Sequence, residues 1–550
     1  MTSLITATAW VPRGHAAAYP TKYVFDEDEY ARISKLAKLE LDDAREDLEA
    51  ARNALSGDAE SEKQAEEEDD EDGGIELDPV EEDDDLKEYD MDHYDDDEEN
   101  EEDEDEDGTA GIVGNIKSLA YHNDNSEDPY ITIPENADSD DEERDELQIL
   151  PTDNLLLAAR IEDEVAHLEA YVYEDAQDNL YVHHDVMLPA IPLCVEWVSA
   201  RPNQADQAGN FAAVGTMEPD IELWDLDVVD SMYPTVVLGQ NTQELPTSVD
   251  DLKKKKKRKA HKANETYHVD AVLSLAANRH NANLLGSASA DQTVKLWDLN
   301  SCKCAQSYSH HTDKVCTIAW HPRQASVLLS GSYDRTIVAA DMRAPAAKVP
   351  RWGVESDVEQ VKWDPLVEHT FYVSTEQGVL HCFDTRKLPT SPEQSKPTWR
   401  LQAHEKSLSS FTLNPVVPGM FATGGQDRVV KIWSVVEGQG PSMIVSRDLG
   451  VGKVFSTNFA PDEAIAFRLA VAGSKGAVQV WDTSTNRAVR DAFATRVRLP
   501  EVAADGKERM IVLAKDDEAE DEEDEEDEQT QADGDIGETG QDGWESMEED

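Results

Sequence analysis

The octapeptide Asp291-Gln-Thr-Val-Lys-Leu-Trp-Asp298 recurs along this chain in altered copies. Asp334-Arg-Thr-Ile-Val-Ala-Ala-Asp341 keeps the spacing with Ala340 in place of Trp, and Asp427-Arg-Val-Val-Lys-Ile-Trp-Ser434 keeps nearly all of it. Gly476-Ala-Val-Gln-Val-Trp-Asp482 ends the same way downstream, and Ile221-Glu-Leu-Trp-Asp225 does so upstream. A unit returning every ~40 to 50 residues is one supersecondary element copied along the chain, and such elements bury their apolar faces against one another. The chain is therefore expected to place its function on a rigid interaction surface rather than in a catalytic cleft.

From residue 151 the texture is short alternating apolar strands with turn signals, which is all-β patterning. Six units can be counted, at about 193–225, 268–299, 311–342, 361–384, 404–434 and 454–482. A seventh is split. Residues 155–159, 165–173 and 180–184 supply three strands before the first full unit, and a C-terminal strand near Met510-Ile-Val-Leu-Ala514 is expected to complete them. Closing a ring with strands from both ends removes exposed sheet edges. The expected fold is an all-β, seven-bladed β-propeller over residues 151–515.

The repeated polar residues have a structural explanation. His268, Asp291 and Trp297 in the second unit, and His404, Asp427 and Trp433 in the fifth, suit a buried Asp–His–Ser/Thr–Trp relay; the third keeps His311 and Asp334 without Trp, and the sixth has Trp481. A relay satisfied internally stabilises a blade instead of costing desolvation, and its repetition favours this over a catalytic His–Asp pair. No nucleophile elbow, phosphate-cradling glycine loop or metalloprotease helix motif appears. Five cysteines make no disulfide framework, and Cys302-x-Cys304 lacks a second ligand pair. No enzyme activity, cofactor or metal site is expected.

The net charge of −70 is concentrated at two places. Residues 58–107 hold 32 acidic residues against Lys63 and Lys87, and residues 516–550 hold 20 with no Lys or Arg. Such runs repel themselves and bury too little apolar surface to offset chain entropy, so disorder is expected at both. Residues 1–25, with Trp10-Val11-Pro12-Arg13-Gly14, read as an extended arm offered to a partner. Residues 26–57 read as a helix with an apolar stripe that includes Leu41, Leu48 and Leu55, to be buried in a partner groove or on this chain's own propeller. Residues 58–150 are mostly acidic with short apolar docking elements, and Ser139 among carboxylates is a candidate phosphorylation site. No run of 18 apolar residues exists, so no membrane span is expected, and no secretory leader is visible.

Trp224 and Trp297 lie 73 residues apart, which places a loop insertion at 231–266 between the first two units. It carries Lys253, Lys254, Lys255, Lys256, Lys257, Arg258 and Lys259, a run suited to nuclear import receptors or RNA phosphates.

The repeats resemble the WD-repeat (WD40) family, with the usual Gly before the entrance His missing: Tyr267, His310 and Ala403 stand there. Outside the repeats, Trp10-Val-Pro-Arg-Gly14, Gly114-Asn-Ile-Lys-Ser-Leu-Ala-Tyr121, Asp128-Pro-Tyr-Ile-Thr132 and Leu188-Pro-Ala-Ile-Pro-Leu-Cys-Val-Glu-Trp197 are similar to the periodic tryptophan protein family. That resemblance implies a nucleolar and nuclear, non-catalytic scaffold in large (pre-60S) ribosomal subunit assembly and precursor ribosomal RNA maturation. Its partners would be assembly proteins and that RNA, with basic ribosomal proteins or histones as candidates for the acidic tracts. A histone-binding factor at ribosomal DNA is the alternative. A ubiquitin-ligase substrate receptor is disfavoured, because Ala340 and Phe383 stand where Trp would precede Asp341-Met-Arg343 and Asp384-Thr-Arg386.

Overall fold

The computed structural model describes residues 3–23, 147–239 and 264–512, apart from 164, 345–348, 437 and 501–507. The acidic runs, the helix expected at 26–57 with Leu41, Leu48 and Leu55, Ser139, and the basic run from Lys253 to Lys259 lie outside the described residues.

Seven four-stranded antiparallel sheets form a propeller. Blades 1 to 6 follow the six sequence units, and their innermost strands are Pro192–Arg201, Val272–Ala277, Val315–Trp320, Val358–Trp363, Ser410–Leu413 and Val454–Phe459. Blade 7 is built from Ser3–Val11, Asn154–Glu162, Val165–Glu174 and Asn179–Leu188. Apolar side chains fill the wedges between blades: Trp297 of blade 2 packs with Phe211 and Leu223 of blade 1, and Trp433 of blade 5 with Tyr372 of blade 4.

Each innermost strand pairs on one edge only, so its other edge needs partners from elsewhere. A side chain of the preceding blade supplies one. Ser274 Oγ accepts from the Ile318 amide at 3.3 Å and Thr317 Oγ1 from Val361 at 3.2 Å. Gln360 Oε1 accepts from Phe411 at 3.1 Å and Ser410 Oγ from Thr457 at 3.0 Å. Ser456 Oγ accepts from the Thr8 amide at 3.2 Å, which continues the ladder onto the N-terminal strand.

That strand corrects two expectations. Ser3–Val11 is the innermost strand of blade 7, paired with Asn154–Glu162. Residues 10–14 are therefore not an arm held out to a partner: Trp10 is 7% exposed and Val11 1%. The Trp10 indole donates to the Asn458 carbonyl at 3.1 Å, the Arg13 amide to Asp462 Oδ2 at 3.2 Å, and Arg13 Nε to Asn154 Oδ1 at 2.7 Å. Gly14, at φ +77°, turns the chain after Pro12. The chain then runs to blade 1, where Thr21–Lys22 pairs in parallel with Val228–Val229.

The C-terminal strand does not complete blade 7. Arg509–Val512 pairs with the third strand of blade 6, Val478–Asp482, and covers its edge. Residues 483–508 connect the two and include a short helix, Arg487–Phe493, capped by Asn486 and buried through Val489 and Phe493. The insertion between blades 1 and 2 is also narrower than 231–266, since Val236–Leu238 is the outer strand of blade 1 and the Asn264 side chain already orders the approach to blade 2.

Candidate interaction surfaces

The relay is complete in blades 2 and 5. His268 Nδ1 lies 3.0 Å from Asp291 Oδ2, and its Nε2 lies 2.7 Å from Ser287 Oγ, to which the Trp297 indole donates at 2.8 Å. With Nδ1 protonated, each donor meets an acceptor and the imidazole stays neutral. Blade 5 repeats this with His404, Asp427 at 2.9 Å, Thr423 Oγ1 at 2.8 Å and Trp433 at 2.8 Å. Blade 3 keeps His311, Asp334 at 3.1 Å and Ser330 at 2.8 Å, with Ala340 in place of the indole. All three imidazoles are fully buried, so none can meet a substrate. Burial raises Asp291, but hydrogen bonds from His268 and Thr293 outweigh it and bring the carboxyl down to about 2. Burial lowers His268 and His404 against their carboxylate partners.

The same aspartates shape the turns that follow them. Gln292, Arg335 and Arg428 sit at φ between 63° and 69°, a region costly for a residue with a Cβ. Asp291, Asp334 and Asp427 hold them there by accepting the amide two residues on. Blades 4 and 6 lack this aspartate and place Gly378 and Gly476 at the left-handed position instead. The hydroxyl goes with the histidine: Val214, Val373 and Val471 occupy the sites of Ser287, Ser330 and Thr423 in blades 1, 4 and 6. Trp224 finds Glu222 at 3.1 Å, whereas the Trp481 nitrogen is buried with no acceptor among the described residues.

The inner strands bound a channel with a cavity of 670 Å3. Its wall carries Glu196, which accepts from Arg279 at 3.2 Å and from the Ala277 amide at 3.3 Å. Arg279 also stacks 5.0 Å from the Trp197 ring centroid. Lys362 points its ammonium toward the Phe411 ring, 5.9 Å from the centroid, with no ion pair shown among the described residues. Burial lowers Lys362 to about 8 against the attraction of Glu196. At the corners after the third strands of blades 3 and 4, Arg343 and Arg386 reach back to Asp341 and Asp384 at 2.8 Å and 2.7 Å.

The structure thus brings His268, Asp291 and Trp297 together, likewise His404, Asp427 and Trp433, and pairs His311 with Asp334. It buries Trp10 and Val11 in the closure, and sequence reasoning missed this although a signal existed. Trp10-Val-Pro12 copies Trp320-His-Pro322 and Trp363-Asp-Pro365, where an inner strand ends and the chain leaves it. Their indoles donate alike to the preceding blade: Trp320 to the Ala276 carbonyl at 2.9 Å and Trp363 to Ala319 at 3.2 Å.

Comparison with known proteins agrees with this division of the blades. The WD domain, G-beta repeat family matches residues 262–298, 302–339 and 395–434, the segments that carry the three His–Asp pairs. Over longer spans the chain is 48% identical to an uncharacterized WD repeat-containing protein of Schizosaccharomyces pombe, covering 90% of this chain and 92% of the relative. It is 37% identical to Periodic tryptophan protein 1 of Saccharomyces cerevisiae over 93% of each chain. It is 30% identical to the Periodic tryptophan protein 1 homolog of Drosophila melanogaster, over 89% of this chain and 96% of that one. A sealed, repeat-built propeller with this likeness is a non-catalytic scaffold, and the chain belongs to the Periodic tryptophan protein 1 family of WD-repeat proteins.

Proposed function

We propose that the protein is a nucleolar assembly scaffold for the large ribosomal subunit, needed for maturation of precursor ribosomal RNA. One observation carries this reading: the likeness to Periodic tryptophan protein 1 runs over 93% of the chain, far beyond the three repeats that the general WD family accounts for. The residues outside the repeats, not the propeller as such, point to that role. In this reading the propeller offers a rigid platform to assembly proteins, and the run Lys253 to Lys259 serves nuclear import or contacts RNA phosphates. The acidic runs at 58–107 and 516–550 hold basic ribosomal proteins until RNA replaces them. Gradient sedimentation with RNA crosslinking tests it. The tagged protein is expected on large-subunit precursors, and its depletion should accumulate precursor RNA. Recovery only in free fractions, with normal RNA processing on depletion, would refute the reading. Nuclease-resistant binding to histones in moderate salt would favour a chromatin role instead.

A further inference from the structure

Two opposite charges stand across the central channel from each other. The innermost strands share one register with the strands they pair, which puts Glu196 of blade 1 and Lys362 of blade 4 at the same level, each one residue before a tryptophan. Blades 1 and 4 do not adjoin, yet each of these charges acts on the other, and only the channel lies between them. At that level blades 2 and 3 carry Ala276 and Ala319, so the space stays open as part of the 670 Å3 cavity. Sites for small molecules typically enclose about 300–1,000 Å3.

The two charges are not equally satisfied. Glu196 already accepts from Arg279 and from the Ala277 amide. Lys362 has the Phe411 ring 5.9 Å away and, among the described residues, neither a hydrogen-bond acceptor nor an ion pair. Asn458, at the same level in blade 6, is spent on Thr8. A desolvated ammonium without a counter-ion is costly, and burial accordingly lowers Lys362 to about 8 despite Glu196. The inner strands all run the same way, so Glu359 lies toward one mouth of the channel, whereas Arg279 and His280 follow the end of Val272–Ala277 at the other. Burial and the neighbouring Glu376 and Asp357 raise Glu359 to about 7, which favours entry of an anion from the second mouth.

We propose that Lys362 anchors a small-anion site in the channel, and that its ligand is a small molecule carrying a phosphate or carboxylate group. The anionic group takes the place of the missing counter-ion. The Glu196–Arg279 pair on the facing wall is neutral as a unit and does not oppose it. The inference is independent of the ribosomal reading, and either can fail without the other.

Acetylation of the full chain with limiting acetic anhydride at constant ionic strength tests it. Peptide masses report the rate at Lys362 relative to exposed Lys303 and Lys387, and these ratios cancel any loss of reagent. Inorganic phosphate and succinate are the probes, titrated into the millimolar range against chloride. At twice the dissociation constant about a third of the sites remain free, so Lys362 should react about threefold more slowly while the two controls keep their rates. Phosphate should also raise the thermal midpoint of wild type and of Lys362→Arg, but not that of Lys362→Met. Protection by phosphate alone assigns a phosphoryl ligand, and by succinate alone a carboxylate. A chain of net charge −70 repels anions in general, so non-specific attraction cannot imitate this result. The proposal is overturned if neither probe slows Lys362 more than the control lysines, or if Lys362→Met keeps the whole thermal shift.

Discussion

Blades 2, 3 and 5 and the junction of blades 6, 7 and 1 solve the same problem by different means. Each of the first three is fastened within one repeat, by a His and an Asp that lie 23 residues apart in every case. The closing junction is fastened by residues hundreds of positions apart. Thr8 meets Ser456 at 2.8 Å, Asn154 meets Asp462 at 2.6 Å, and buried Arg468 of blade 6 reaches Asp175 at 2.7 Å and the Tyr173 hydroxyl at 2.7 Å in blade 7. Local fastening leaves a pattern that repeats in sequence, whereas distant fastening leaves one only through its partners. The difference separates what stabilises a blade from what closes the ring.

The largest expected effect comes from breaking the closure itself. Deleting residues 1–12 removes the innermost strand of blade 7 and exposes what Ile5, Trp10 and Val11 cover. A buried Trp or Ile truncated to Ala costs about 2–5 kcal/mol each, and a whole domain has only about 5–15 kcal/mol. The truncated chain should therefore lose its cooperative thermal transition, while Trp10→Ala alone should lower it by about 3–5 kcal/mol. A truncated protein that melts like the full chain would mean that the N-terminal strand is dispensable.

Next comes the clasp. Arg468 also pairs with Asp482 at 2.5 Å; without it Asp482 keeps only the Ser484 amide and hydroxyl and Asp175 only the Tyr173 hydroxyl, with no other Lys or Arg shown on either among the described residues. Arg468→Met should cost about 3–5 kcal/mol, because it leaves buried charge unpaired. Ser287→Ala in blade 2 orphans His268 and the Trp297 indole and should cost about 2–3 kcal/mol. Denaturant titration distinguishes them, and a larger loss for Ser287→Ala would reverse the ranking of closure over relay.

Much of this division can be read from sequence. The paired His and Asp of blades 2, 3 and 5, and the Trp near the end of the third strand in blades 1, 2, 5 and 6, are local and repeated, so they mark the repeats and the relay residues. The closure is harder to read, because Trp10 and its neighbours are separated from Asn154 by more than a hundred residues. Extended, proline-bearing sequence at a terminus looks the same whether it is free or paired. The Trp-x-Pro copies at 10, 320 and 363 are what distinguish the two. The C-terminal strand is misassigned for a related reason: residues 483–508, with their helix, stand between it and the blade it finishes, and spacing no longer counts strands.

Acid should weaken the relay blades in two steps. His268 and His404 are lowered by burial, so the unfolded chain takes up protons first, and their contribution, complete above about pH 6.5, is lost as pH falls below it. Asp291 is depressed to about 2, so its contribution persists down to about pH 4 and is lost as pH falls through its folded value. The advantage of wild type over His268→Asn in thermal midpoint should accordingly shrink between about pH 7 and pH 5. A constant gap would mean that the imidazole is not buried in its neutral form.

The smallest effect isolates the part of the relay that blade 6 lacks. Val471 occupies the position of Ser287 and Thr423, two pairs beyond Leu469 opposite Trp481, and the Trp481 nitrogen is left without an acceptor among the described residues. Replacing a buried Val by Thr ordinarily costs about 1–3 kcal/mol, because the hydroxyl is desolvated without a partner. At Val471 the indole N–H is already there and already unsatisfied, so the new oxygen would accept from it as Ser287 does from Trp297. Val373 of blade 4 is the matched control: Phe383 occupies its tryptophan position and offers no donor. Val471→Thr should change stability by less than about 1 kcal/mol, and Val373→Thr should cost about 1–3 kcal/mol. Equal losses at both sites would mean that the hydroxyl gains nothing from the indole alone. The relay would then be worth having only when His and Asp complete it, which would explain why hydroxyl and histidine occur together in blades 2, 3 and 5 and in none of blades 1, 4 and 6.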